Sequence, residues 1–529
     1  MPLLEDSDNS ITKTMTTTPK PTPTEQKHSE NRPRILIVTP EITYLPSGMG
    51  NMAQRMSAKA GGMADVSSSL INALFDMGAD VHVALPNYSS MFNSDGRNII
   101  QREKDKIADK LGEQRIHLAE DPIFYRKNQV YDSAKNHLAA LAFQREVINN
   151  IIPKVQPDLI HCNDWMTGLI PPVSKRLGIP SLITVHNIHS ERLTMEEVED
   201  RGIDASEYWE NMYFTGSPAN YEDARHNKLI DFMATGIFAA DHVNSVSKTF
   251  LYEVVEGKHE FVPKAIQTEL ANKLYSGHAT GILNAPDASF DPQTDTHIKH
   301  HFDEFSHVIG KAANKKQFQE EVGLKVDPHA PLFYWPSRLD PMQKGCQLLA
   351  DILYQITADY SDIGLQVGIV ASGEYEKHFH DIVNLHGLQD RVAVKPFNES
   401  LSRLAYAGSD FILMPSRFEP CGLPQMAAPM YGTLPVVHNT GGIHDTVDHL
   451  HYDGNLGNGF RFDNYGAEGF RWAIDEAVRF HRWPATDKAR VIQRIMKESK
   501  LRFNHNTTAA AYIDLYSKML GRPVVNESE

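Results

Sequence analysis

Cysteine is scarce in this chain of 529 residues: there are three, Cys162, Cys346 and Cys421, set far apart. That spacing gives neither a disulfide framework nor a zinc pattern, and it fits a reducing compartment. Long apolar runs are missing as well; no stretch approaches the roughly 18 residues that a membrane-spanning helix needs. Positive charge is in deficit, with 52 Lys and Arg against 67 Asp and Glu and a formal net charge of −15. The deficit argues against nucleic acid and against a membrane surface as partner, so a polyanionic ligand must be held by local cations. Residues 1–32 lack an apolar h-region and are rich in Thr, Pro, Ser and Lys. They read as a disordered tail rather than a secretory signal, and the expected location is cytoplasmic. Asp6-Ser7-Asp8 in this tail matches an Asp-x-Asp metal motif, but so short a match in such a segment carries little weight.

What is present is a globular composition, 41% hydrophobic and 22% charged, in a chain too long for one ordinary domain. Short apolar runs bounded by Pro, Gly and polar residues read as buried strands at 35–38, 81–85, 159–161, 181–185, 242–246 and 281–284. A second series follows at 332–335, 365–370, 392–394, 411–414 and 434–437. Helical patterns lie between them, as at Val66, Leu70 and Leu74, at 312–322, and finally at 509–520. Strands alternating with helices imply an α/β protein made of two doubly wound halves.

In such sheets ligands bind at the carboxyl ends of strands. The stretch 410–447 offers two such ends close together in sequence. After residues 411–414 comes Ser416-Arg417-Phe418-Glu419-Pro420-Cys421, which presents a carboxylate. After the next strand comes Thr440-Gly441-Gly442, whose backbone N–H groups suit an anion at a helix start. Together they read as one wall of a site for a phosphate-bearing sugar donor. Arg338 and Lys344 flank another strand end and helix start, where two cations suit a leaving diphosphate, or simply form a solvated face. Lys59 precedes Gly61 and Gly62, which let backbone approach a ligand closely. His186-Asn187 also sits at a strand end. Asp164 either caps the next helix or hydrogen-bonds a sugar. His297, His300, His301 and His307 have near-helical spacing and read as a polar helix face rather than a metal site. Gly48-Met49-Gly50-Asn51-Met52-Ala53 matches a dinucleotide fingerprint but lies too far beyond its strand, which sets an NAD-dependent oxidoreductase aside. Met63, Met426 and Met430 read as core.

Taken in order, these motifs closely resemble bacterial glycogen synthases and plant starch synthases. The resemblance rests on Ser416 to Leu423, on Tyr431-Gly432-Thr433-Leu434-Pro435 and Thr440-Gly441-Gly442, and on Lys59-Ala60-Gly61-Gly62. Asp164-Trp165-Met166-Thr167-Gly168-Leu169, Thr184-Val185-His186-Asn187, Ala240-Asp241-His242-Val243 and Gly281-Ile282-Leu283-Asn284 add to it. So do Asn314-Lys315 and Ser337-Arg338-Leu339 with Gln343-Lys344-Gly345. It spans about residues 34–520. It implies the GT-B fold, two Rossmann-like domains facing a deep cleft. The implied division is a tail at 1–32, an acceptor-side half at 33–283 completed by a helix at about 504–529, and a nucleotide-sugar half at 284–503.

The resemblance further implies a retaining glucosyltransferase that moves glucose from ADP-glucose or UDP-glucose to the non-reducing end of an α-1,4-glucan, with no metal or other cofactor. Arg338 and Lys344 would hold the diphosphate, and Glu419 the glucose hydroxyls beside the developing oxocarbenium charge. His186 and Asp164 would flank the transferred sugar. Asn284, Cys421, Gly422 and Leu423 would contact the donor, Lys59, Gly61 and Gly62 would close over the phosphates, and Thr440, Gly441 and Gly442 would bind the distal one. Departures from the family pattern stand at Asn163, Ala64, Met166, Ala285, Pro286, Pro424, His438 and Asn439. A long insert at 39–58 is expected to act as a lid on the acceptor side, and Tyr131 is a weak candidate for the family's cleft tyrosine. The alternatives are a GT-B transferase with another acceptor and a non-catalytic glucan-binding homologue; the presence of Lys59, Arg338, Lys344 and Glu419 disfavours the latter.

Overall fold

The computed structural model describes residues 32–42, 49, 62–88, 115–125, 127, 130 and 136–525. Lys59, Gly61, Tyr131, the tail motif at 6–8 and most of the 39–58 insert lie outside these residues. Gly62 is the first residue of helix α1 (Gly62–Asp76).

The first sheet is built from β1 (Arg34–Val38), β2 (Asp80–Pro86), β3 (Ile116–Ala119), β4 (Leu159–Asn163) and β5 (Ser181–Val185). A small antiparallel pair, β6 (Arg192–Thr194) with β7 (Leu229–Asp231), stands apart from it. β8 (His242–Ser245) and β9 (Ala279–Gly281) complete the first sheet, in the order β3-β2-β1-β4-β5-β8-β9, all parallel. The second sheet contains β10 (Leu332–Trp335), β11 (Gln366–Val370), β12 (Val392–Lys395), β13 (Phe411–Met414), β14 (Leu434–His438) and β15 (Phe460–Phe462). Its order is β12-β11-β10-β13-β14-β15, again all parallel.

The helices used below are α2 (Ile170–Leu177), α3 (Lys248–Val255), α4 (His307–Val322), α5 (Cys346–Asp359), α6 (Pro424–Met430), α7 (Gly441–Thr446), α8 (Ala485–Arg502) and α9 (His505–Leu520). Strands this apolar on both faces need cover on both, and they have it. In the second sheet Phe333 and Trp335 point into one core cluster, while Leu332 and Tyr334 point into another on the opposite face.

The chain leaves the first sheet after Gly281 and returns at α9, whose Ala509, Tyr512 and Tyr516 join the core of the first half. Polar groups fix that return. Tyr516 Oη is hydrogen-bonded to His161 Nδ1 at 2.7 Å, His161 Nε2 to Thr184 Oγ1 at 2.7 Å, and Asn244 Nδ2 donates to Tyr512 Oη at 2.8 Å. Burial holds the His161 imidazole neutral, pushing its pKa down to about 3. The two places where the chain crosses between the halves lie side by side: Thr508 Oγ1 donates to the carbonyl of Leu283 at 3.1 Å.

Two readings of the sequence are corrected here. β9 ends at Gly281, with Ile282 N already bonded to Ser245 O, so Asn284 lies beyond the strand. His297, His300 and His301 precede α4 and do not form a helix face. His297 is bonded to Ser400 Oγ, His301 to Asp295 O, and His307, the first residue of α4, to Glu304 O. Parts of the expected lid are also core, since Thr39, Glu41, Ile42 and Met49 are buried.

Tyr516→Phe leaves a buried His161 nitrogen without its partner, which costs about 1–3 kcal/mol. The expected outcome is a lower midpoint in chemical unfolding with an unchanged circular dichroism spectrum at rest.

Candidate active site

Both strand orders reverse once, between β1 and β4 in the first sheet and between β10 and β13 in the second. The crevice outside the carboxyl ends at such a reversal is where open α/β sheets bind ligands. The loops at all four ends meet. Glu41 follows β1, Asp164 follows β4, Arg338 follows β10 and Glu419 follows β13, and all four line one cleft of about 710 Å³ between the halves.

On the second-half side, Pro415 ends β13 and the loop turns into the cleft. Glu419 is buried, and its Oε2 lies 2.5 Å from Lys344 Nζ and accepts from Ser416 Oγ at 3.2 Å. Arg417 N donates to Gln343 O, and Gln343 Nε2 to Phe418 O, so the loop carrying Glu419 is sewn to the loop leading into α5. The seam is tight. Gly345 has φ +72°, and a Cβ there would stand 2.0 Å from the carbonyl of Pro415, so only glycine fits. Arg338 is exposed to the cleft and has no hydrogen bond or ion pair among the described residues. Cys421, Gly422 and Leu423 complete this wall, and burial pushes the Cys421 thiol up to about 12, which leaves it a neutral lining group.

On the first-half side, Asp164 sits at φ +57°, ψ −175°, a backbone conformation that ordinary residues avoid. Its carboxyl accepts from His186 N at 2.6 Å and from Asn187 Nδ2 at 3.0 Å. It makes no cap bond to the turn that follows, so the capping alternative does not hold. His186 Nε2 is bonded to Asn163 Oδ1 at 2.9 Å. Burial raises the Asp164 pKa to about 7; the bonds from His186 and Asn187 oppose this and the nearby Glu41 adds to it. Burial alone lowers His186 to about 4. Asn284 is buried at the cleft edge, and its Oδ1 has no hydrogen-bond partner among the described residues.

Thr440, Gly441 and Gly442 are not on the cleft lining. Gly441 N donates to Glu253 Oε2 at 3.0 Å, Thr440 Oγ1 to the same oxygen at 3.2 Å, and Gly442 N to Glu419 O at 3.0 Å. The expected phosphate-binding turn therefore holds a carboxylate from the other half of the protein. Among the departures, Met166 and Ala285 are core, Asn163 orients His186, His438 is bonded to Ser416 O, and only Pro424 lines the cleft. Glu41 was not marked by the sequence reading; the one signal for it is its place at the end of the first strand. Among the described residues no group of three or more His, Cys, Asp or Glu is arranged to hold a metal ion.

Two parallel-sheet halves with the reversal points of both opening on one cleft make up the GT-B fold. The model of the starch synthase catalytic domain matches residues 34–266, and that of glycosyl transferases group 1 matches residues 316–484. Glycogen synthase of Exiguobacterium sibiricum is 32% identical over 87% of this chain and 95% of its own. Glycogen synthase of Geotalea daltonii is 32% identical over 92% and 99%. The catalytic domain of starch synthase IV from Arabidopsis thaliana, solved with ADP and acarbose, superposes with a TM-score of 0.74 at 24% identity, over 93% of this chain and 100% of that one. The chain belongs to the glycogen and starch synthase family and is a glucosyltransferase of that type.

A carboxyl whose pKa is higher folded than unfolded binds more protons in the fold, so its contribution falls as pH rises from about 4, the unfolded value, to about 7. The lowered His186 acts with the opposite sign below about 6.5, but equally in parent and variant. For Asp164→Asn, the unfolding free energy of the variant minus that of the parent is expected to climb over that window and then level off. A difference that stays flat with pH would show the Asp164 carboxyl to titrate in the fold as it does unfolded.

Proposed function

We propose that this glucosyltransferase transfers glucose from ADP-glucose, with UDP-glucose as the second donor to test, to the non-reducing end of an α-1,4-glucan, retaining the anomeric configuration. The observation that carries the reading is Arg338. It has no hydrogen bond or ion pair among the described residues, and it lines the same cleft as the Lys344–Glu419 pair, Asp164 and His186. A cation left without a carboxylate in a protein this acidic is suited to a diphosphate.

In this reading the diphosphate binds Arg338 and draws Lys344 from Glu419, and Glu419 then accepts hydrogen bonds from the glucose hydroxyls. The bond between glucose C1 and the phosphate oxygen breaks, with its electron pair going to the phosphate. The acceptor oxygen attacks C1 from the same face, and its proton passes to the leaving phosphate. Lys344 and Arg338 stabilise the charge that builds there, where low dielectric makes them most effective. His186, neutral through burial, and Asp164 shape the sugar pocket. Asn284, Cys421, Gly422 and Leu423 contact the donor, and Lys59, Gly61 and Gly62 close over its phosphates. The reaction needs no metal ion or other cofactor. A cytoplasmic location belongs to the same reading; among the described residues no helix is long and apolar enough to cross a membrane.

The decisive assay pairs ADP-glucose and UDP-glucose with glycogen, maltooligosaccharides and small alcohols and follows nucleotide release. Transfer to the glucans is expected, and transfer only to small alcohols would replace the glucan acceptor. Arg338→Ala should weaken ADP binding by about 10- to 100-fold in calorimetry, a charge-assisted contact being worth roughly 1.5–3 kcal/mol. Glu419→Ala should lower kcat by roughly 100-fold or more with the fold intact, comparable to losing a transition-state contact. Parental turnover in that variant would remove Glu419 from the mechanism.

A further inference from the structure

The loop that carries Glu419 is held from the opposite half of the protein by two separate contacts. Both involve the segment that begins with α3.

The first contact is aromatic. Phe418, next to Glu419, meets Phe261 of the first half with ring centroids 4.1 Å apart and planes inclined by 33°. The His259 ring lies against both, at 6.0 Å from Phe418 and 5.5 Å from Phe261. Phe261 is 47% exposed even so.

The second contact is a mutual exchange of helix caps. Asp445 on α7 accepts from Ser247 Oγ at 2.9 Å and from Thr249 N at 3.0 Å and Thr249 Oγ1 at 2.5 Å, at the start of α3. Glu253 on α3 accepts from Thr440 Oγ1 and Gly441 N at the start of α7, and His259 Nε2 stands 3.0 Å from the same oxygen. Burial alone would raise the Glu253 pKa, but the His259 ring, the Gly441 amide and Thr440 together hold it below the usual carboxylate value. The next amide of α7, Gly442 N, donates to the carbonyl of Glu419 itself. There is no slack in this path: a Cβ on Gly441, at φ +48°, would stand 2.0 Å from that carbonyl.

We propose that Glu253, His259 and Phe261 are positioning residues for Glu419. They couple the placement of the carboxylate to the mutual docking of the two halves, so that Glu419 is set for transfer only while the halves are joined. The proposal rests on the role given to Glu419 above. Each helix start loses a carboxylate of the other half if the halves part, Asp445 from α3 and Glu253 from α7, while Ser247 still caps α3 through Phe250 N. Arg338 lies outside the path, and Lys344 meets it only at the Glu419 carboxylate, so binding of the diphosphate should depend on it far less than turnover does.

The test compares Phe261→Ala, Phe261→Tyr and Glu253→Gln in the full-length enzyme with ADP-glucose and glycogen. Phe261→Ala should lower kcat by about 10- to 100-fold, the scale of a misplacement near 1 Å, while the ADP dissociation constant stays within about twofold. Phe261→Tyr, which keeps the ring, should restore turnover to within about threefold of the parent, and Glu253→Gln, which loses the charge but keeps an acceptor, should fall between. A loss of turnover that Tyr does not restore, or one matched by an equal loss of ADP affinity, would overturn the proposal. If Glu419→Ala is inactive but Phe261→Ala is as fast as the parent, the coupling alone fails. If Glu419→Ala keeps parental turnover, the role of Glu419 fails and the coupling fails with it.

Discussion

A carboxylate and an ammonium 2.5 Å apart, both largely removed from water, set the terms for everything around them. Neither Lys344 nor Glu419 can be buried alone, because an unpaired charge in that position is strongly destabilising. Each therefore keeps the other in place before any ligand arrives, and the loops that bear them are pinned by Ser416, Gln343 and the close approach at Gly345. A ligand able to separate them must bring both an anion for the lysine and donors for the carboxylate. A nucleotide-sugar has both within a few bonds, whereas a nucleotide alone or a sugar alone has one. In the proposed reaction the pair selects for the composite molecule by the same rule that holds the fold together.

The two walls of the cleft differ in kind. The second-half wall presents the ionic side chains of Arg338, Lys344 and Glu419. On the first-half wall burial shifts Asp164 up and His186 down, and both are tied into a net with Asn163 and Asn187. A hydrogen-bonding net suits a hydroxylated chain, and the cations suit a diphosphate. The division follows from local burial and requires no difference in fold between the halves.

The parallel sheets were legible because their strands are short apolar runs stopped by Pro, Gly or polar residues, and the cores on both faces follow from that pattern. Arg338, Lys344 and Glu419 were legible because they stand at strand ends. What could not be read were the pairings. Lys344 with Glu419 spans 75 residues and Gly441 with Glu253 spans 188, and neither leaves a trace in local periodicity. Thr440-Gly441-Gly442 looked like an open anion site because its sequence cannot show that a carboxylate already fills it. Asp164 looked equally like a cap, since the bonds from His186 N and Asn187 Nδ2 that occupy its carboxyl span 22 and 23 residues. Asn284 seemed to lie in a strand because the apolar run continues two residues past the end of β9.

The chain passes between the halves twice, after β9 and again between α8 and α9, and the two passages touch where Thr508 meets Leu283. A cavity of about 330 Å³ lies beside them, lined by residues of both, including Phe290 and Phe503. Two adjacent pins leave a door one easy motion. Swing about the line through them is permitted, while twist and sideways slip must stretch one pin or compress the other. The motion to expect of these halves is therefore a swing about that line, which widens and narrows the cleft.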